Sequence, residues 1–90
     1  MPAKNQKLHL ATITVLVKDR QMHSPEINRI LTENGHLILA RLGVNVQRHC
    51  IKHCTAIITV TLEATAKDVS RIAKELNGLY GITAKSLIAA

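Results

Sequence analysis

Twice along ninety residues, an alternating apolar/polar stretch gives way to a helical stretch and then to a second alternating stretch. Few folds accommodate that order in so short a chain. Residues 8–19 place Ala11, Ile13, Val15 and Val17 on one face and Thr12, Thr14 and Leu16 on the other, the period of a strand. Ser24-Pro25-Glu26 reads as a helix start, with a hydroxyl N-cap, proline at the first helical position and an acid near the positive end of the dipole. Ile27, Ile30 and Leu31 form the stripe to be buried, and Asn34-Gly35 stops the helix. A second strand is predicted over 37–46, with Ile38, Ala40, Leu42, Val44 and Val46 facing the core. A third, over 54–63, turns Ala56, Ile58, Val60 and Leu62 inward. Thr65-Ala66-Lys67-Asp68 resembles a capping box with Asp in the usual place of Glu. Val69, Ile72, Ala73 and Leu76 then follow at i, i+3, i+4, i+7, Asn77-Gly78 ends that helix, and 82–88 is the last strand.

Two strand–helix–strand halves predict an α+β, ferredoxin-like βαββαβ sandwich: a four-stranded antiparallel sheet with both helices on one face. A doubly wound parallel sheet would need more elements than ninety residues supply. Residues 1–7 are polar and expected to be disordered, leaving 8–90 as a single domain. The fold leaves one sheet face bare. The positions assigned to it are Thr12, Thr14, Leu16, Leu37, Leu39, Arg41, Thr55, Ile57, Thr59, Thr61, Thr83, Lys85 and Leu87. So little charge on a sheet face predicts a second sheet stacked on it at about 10 Å, hence a homodimer or homotetramer.

Composition removes several functions. With no Trp, no Phe and only Tyr80, the chain lacks the stacking platforms of RNA-recognition motifs and most single-strand binders. Twelve Lys and Arg against six Asp and Glu give a net charge of +6, which suits an acidic partner or ligand. No apolar run approaches the roughly 18 residues of a membrane span. The lysines and apolar run near the N-terminus lack a small-x-small cleavage site, and two cysteines are too few for a disulfide scaffold. A cytoplasmic protein with reduced thiols is therefore expected. With no glycine-rich phosphate loop and no serine–histidine–acid set to nominate, the chain reads as a non-enzyme.

The segment from Gln47 to Cys54 is the most unusual stretch. It holds His49, Cys50, His53 and Cys54 in the pattern HC-x-x-HC. Thiolate and imidazole together suit a transition metal such as zinc or nickel. Turned helically, the two pairs stand at i, i+4; extended, the cysteines lie ~13 Å apart and an ion would need another histidine, such as His36, or a second subunit. Against this, Cys54 falls on the core-facing set and would serve as a small hydrophobe. Arg48, Lys52 and the histidines around Cys50 would lower its pKa and make it a reactive thiol. From Asn34 to Leu62 there is no acid at all, while Arg41, Arg48 and Lys52 fall within that stretch. A phosphate, another anionic ligand or a nucleic-acid backbone would be met there, although no run is dense enough for a DNA-binding arm.

The stretches Ile13-Thr14-Val15-Leu16-Val17-Lys18-Asp19-Arg20, Ile27-Asn28-Arg29-Ile30-Leu31, Ile38-Leu39-Ala40-Arg41-Leu42-Gly43-Val44 and Leu79-Tyr80-Gly81-Ile82 resemble the iron-only hydrogenase system regulators. The resemblance spans roughly residues 10–88, and Ala-Arg-Leu-Gly-Val is its most telling segment. That family is similar to stand-alone ligand-sensing ACT domains and to the metal-sensing domain of the nickel-responsive repressor. It implies an oligomeric regulatory domain that senses a small ligand or a metal. ACT-type sites lie where the first strand runs into the first helix, which here implies Asp19, Arg20 and Ser24, with Arg41 and Gly43 as further candidates. Of the nickel repressor's ligands, only Cys54 stands in a comparable place, and the repressor's DNA-binding ribbon-helix-helix is absent. The alternative is a nucleic-acid-associated transcriptional regulator acting through its basic surface.

Overall fold

Strand β1 (Leu8–Val17) is flanked by a strand on each side, and its inward residues are accordingly among the best buried in the molecule. In the computed structural model, which describes residues 7–46 and 54–90 and only the backbone of Arg20 and Gln21, it is followed by α1 (Arg20–Glu33), a 3-10 turn (Gly35–Leu37), β2 (Ile38–Asn45), β3 (Ala56–Thr65), α2 (Ala66–Asn77) and β4 (Ile82–Ile88). The sheet order is β2-β3-β1-β4, with every neighbouring pair antiparallel. This is the βαββαβ sandwich that the order of elements predicts. Ala11, Ile13, Val15 and Val17 meet Val60, Leu62 and Ala64 of β3, with Ile27, Ile30 and Leu31 of α1 and Val69, Ile72 and Leu76 of α2 closing the core above them. Apart from Lys7, the segment expected to be disordered lies outside the described residues.

Helix α2 forms where its spacing and cap place it. Thr65 is the N-cap, its Oγ1 accepting from the Asp68 backbone N–H at 3.1 Å, and Val69, Ile72, Ala73 and Leu76 are the buried stripe. Helix α1 starts earlier than Ser24-Pro25 suggests. Asp19 is the cap, with Oδ1 accepting from the Met22 N–H at 3.4 Å, so Ser24 lies on a helix face and Pro25 lies within the helix. The proline removes one backbone bond there, to the carbonyl of Gln21, a cost an exposed second turn tolerates. At its other end α1 is tied to α2. Buried Asn34 donates to the Ile30 carbonyl at 2.7 Å and accepts from Arg71 at 2.9 Å, while Arg71 also bonds Glu75 and Asp68.

The largest departure from expectation is β2. Ile38 pairs with Leu62 but Ala40 pairs with Thr61, so two residues of β2 are spent against one of β3, with Leu39 as the extra residue. A one-residue shift exchanges the faces of everything after it. Arg41, Gly43 and Asn45 therefore lie on the helix side, opposite Val60, Ile58 and Ala56. Ala40, Leu42 and Val44, expected in the core, lie on the open face opposite Thr61, Thr59 and Ile57, and Val46 beyond the strand is also exposed. Arg41 correspondingly leaves the open face, and Leu37 packs against the core from the 3-10 turn.

Candidate functional site

The bulge makes a cleft. The helix-side residues of β2 after Leu39 are an arginine, a glycine and an asparagine, so no apolar side chain draws α1 down onto that edge. The gap of ≈ 240 Å³ has a floor of Val17, Ala56 and Ile58, a wall of Ser24, Ile27 and Asn28 from α1, and a rim of Arg41, Gly43, Val44 and Asn45. Arg41 Nη2 donates to Asn28 Oδ1 at 2.8 Å, which holds the guanidinium at the mouth. Among the described residues, no acidic side chain lines the cleft. An arginine, two amides and a hydroxyl over an apolar floor form a receptor for a small molecule with an anionic end and an apolar body. The volume lies just below the range of roughly 300–1,000 Å³ usual for drug-sized ligands, which favours a compact molecule.

Three of the five sequence-nominated ligand residues, Ser24, Arg41 and Gly43, meet here. Asp19 does not. It lines a separate hollow of ≈ 460 Å³ with Lys18, Met22, His23, Tyr80 and Gly81, on the β4 side of α1. There Gly81 has φ +79, and a Cβ on it would stand 3.1 Å from His23 Nε2. The His23 and Tyr80 rings are tilted at 54° with centroids 6.4 Å apart. The Arg20 side chain lies outside the described atoms. Asn28 and Asn45 were not nominated, yet Asn28 stands at i+4 from Ser24, a spacing that puts both on one face of α1.

The metal reading loses its sulfur chemistry in this state. Cys54 is buried and disulfide-bonded, and the sequence has one other cysteine, Cys50. A disulfide sulfur is not a thiolate, so ligation of a metal through Cys54 requires the reduced form. His49, Cys50 and His53 lie outside the described residues. His36 sits beyond the far end of β2, about 25 Å along the strand from where that loop begins. Among the described residues, no group of three or more His, Cys, Asp or Glu is placed to hold an ion. Zinc and nickel binding through HC-x-x-HC is thus expected only of reduced protein. Metal analysis after dialysis against either ion should find about one equivalent with reductant and none without it, and equal loading would show that the sulfurs play no part.

Residues 9–86 match the TM1266-like family, described as an iron-only hydrogenase system regulator. The chain belongs to this family. It is named for regulation and not for a reaction. Among solved structures, the chain is similar to the uncharacterized protein TM1266 from Thermotoga maritima, with a TM-score of 0.83 and 21% identity over 93% of this chain and 100% of that one. It is also similar to CPII from Thiomonas intermedia K12, a structure with ADP, AMP and acetate bound, with a TM-score of 0.51 and 12% identity over 93% of this chain and 92% of that one. At these identities the likeness is one of fold. No curated protein matches the chain. Among the described residues, no helix is long and apolar enough to cross a membrane.

Proposed function

We propose that this regulator is an oligomeric, ACT-like sensing subunit whose effector is a small anionic molecule held between α1 and β2. The observation that carries the reading is Arg41, braced by Asn28 at the mouth of a cleft that contains no acid. Anion recognition needs a donor fork without a competing carboxylate, and this cleft offers one. Ligands on the CPII fold support small-molecule binding as a use of such a sandwich, by analogy of fold alone. The bare sheet face supports assembly: Leu10, Leu42, Val44, Ile57 and Leu87 are exposed there among the threonines, a surface suited to a second sheet.

Arginine pairing within the chain weighs against the alternative of a nucleic-acid-binding regulator. Arg29 is engaged by Glu26 and Glu33, and Arg71 by Asp68 and Glu75. The hydrogen bond to Glu33 is the main effect raising the Arg29 pKa above its usual value, and the one to Glu75 does the same for Arg71. These two of the twelve basic side chains are thereby neutralised locally before any phosphate arrives.

Thermal-shift titration against small mono- and dicarboxylates, phosphates and nucleotides tests the reading. A ligand at 100 times its Kd stabilises a protein by about 2.7 kcal/mol, which a melting curve resolves easily. Stabilisation by at least one anionic class is expected. Absence of any shift across the panel at millimolar concentration would remove the sensor.

A further inference from the structure

Tyr80 is the only Phe, Trp or Tyr in the chain, and it stands in solvent. The core is built from aliphatic side chains, while the Tyr80 residue is 90% exposed and Met22, in the first turn of α1, is 72% exposed. Both line the hollow of ≈ 460 Å³ on the β4 side of α1, with His23 and Gly81 beside them and Lys18 and Asp19 completing it. That volume falls within the usual range for small-molecule sites, and the cleft that holds Arg41 shares no residue with it.

Backbone bonds hold the walls of this hollow. The Lys18 N–H donates to the Gly81 carbonyl at 3.2 Å, which fastens the turn before β4 to the end of β1, and the Ile82 N–H closes that turn on the Leu79 carbonyl at 3.3 Å. The His23 N–H donates to the Asp19 carbonyl at 3.1 Å, in the helix that the Asp19 side chain caps. Gly81 has no Cβ to fill the space against the His23 imidazole, so that ring lies close against the turn. The Tyr80 ring takes no part in this framework, and its neighbour is the tilted ring of His23. A large ring that supports nothing in the fold, set beside an imidazole and a methionine, is a surface for stacking.

We propose that this hollow binds a planar heteroaromatic ring of the nucleobase kind, carried by a nucleoside or a related uncharged molecule. Stacking sets the shape of the ligand: its ring lies against Tyr80, with His23 and Met22 alongside. The charges set its edge. Lys18 brings a pure donor and Asp19 a pure acceptor, adjacent in sequence and opposite in sign. An anion would meet the Asp19 carboxylate and a cation the Lys18 ammonium. A neutral edge that accepts at one atom and donates at the next satisfies both, as N7 and the amino group of adenine do. Asp19 Oδ1 accepts from the Met22 N–H at 3.4 Å, and a carboxylate has capacity for several donors. The hollow thus takes a different class of ligand from the cleft beside Arg41, and the inference does not rest on that cleft.

The lone tyrosine is its own reporter. In proton NMR spectra of the full-length protein, adenosine should move the Tyr80 ring signals upfield and saturate at millimolar concentration or below, while inorganic phosphate leaves them in place. Tyr80→Ala, at a position in solvent, should keep the wild-type melting temperature and weaken adenosine binding by roughly tenfold or more in calorimetric titration, the order of loss when a stacking ring is removed. Purine riboside, which lacks the amino group, should bind more weakly than adenosine. Tyr80 signals unmoved by adenosine, guanosine and cytidine alike would overturn the site, and a saturating shift with phosphate alone would overturn the ligand class. Unaltered affinity in Tyr80→Ala would overturn stacking, and equal binding of purine riboside would overturn the part given to Asp19. None of these results depends on whether an anion shifts the melting curve.

Discussion

Ile13→Ala is expected to destabilise the domain by about 2–5 kcal/mol, the usual cost of deleting a fully buried branched side chain. Ile13 is 0% exposed in β1, one of the two inner strands, with Val60 across from it on β3 and Ser86 on β4. Any collapse into the void would have to move a strand hydrogen-bonded on both sides, so the cost should fall in the upper part of the range. Domains of this size commonly have only about 5–15 kcal/mol of stability in all. The melting temperature should drop by on the order of 10–30 °C, since each kcal/mol is worth roughly 4–8 °C in a domain this small. Urea denaturation checks it: the midpoint should fall while the slope is unchanged. Leu8→Ala, at an exposed strand end, should change stability by no more than about 0.5 kcal/mol. Equal effects of the two substitutions would mean that the core is wrongly placed.

Arg41→Met is expected to weaken binding of the anionic effector by roughly 10–100-fold while leaving the melting temperature of the free protein nearly unchanged. A hydrogen bond to a charged group contributes about 1.5–3 kcal/mol, and each 1.4 kcal/mol is tenfold in affinity. Methionine keeps an apolar stem in place of the guanidinium, and Arg41 is exposed enough that folding does not depend on it. Arg41→Lys should retain part of the affinity, because it keeps the charge but loses the two-pronged geometry. Asn28→Ala acts only through the placement of the guanidinium and should cost less than Arg41→Met. Calorimetric titration of the three variants with whichever anion stabilises the wild-type chain provides the comparison. Unaltered affinity in Arg41→Met would move the binding site elsewhere.

Much of the fold was legible because its elements carry independent signals that agree. In α2, the Thr65 cap, the 3.6-residue stripe from Val69 to Leu76 and the Asn77-Gly78 stop all point to one helix. In β1, only one phase of the alternation buries a continuous aliphatic row. Strand β2 has no such discrimination. Ala40, Leu42, Val44 and Val46 alternate cleanly, but a period of two is blind to a one-residue slip at Leu39, and an apolar run from Leu37 to Ala40 hides where the slip occurs. The start of α1 was obscured by a stronger local signal: Ser24-Pro25 looks like a better beginning, whereas the side chain of Asp19 caps the Met22 N–H and the helix begins at Arg20. The site was half legible for the same reason. Ser24, Arg41 and Gly43 were nominated together through the family resemblance, whereas alternation alone had put Arg41 on the wrong face. Asn28 carried no motif, and the disulfide at Cys54 leaves no trace in spacing.

Leu39 therefore sets two demands on the chain against each other. An unbulged pairing, with Leu39 opposite Thr61, would return Leu42 and Val44 to the interior opposite Ile58 and Ala56 and turn Arg41 outward. It would gain a larger core and lose the cleft. The extra leucine trades cohesion for a vacancy beside a positive charge, and every residue downstream in β2 has its orientation set by that single insertion.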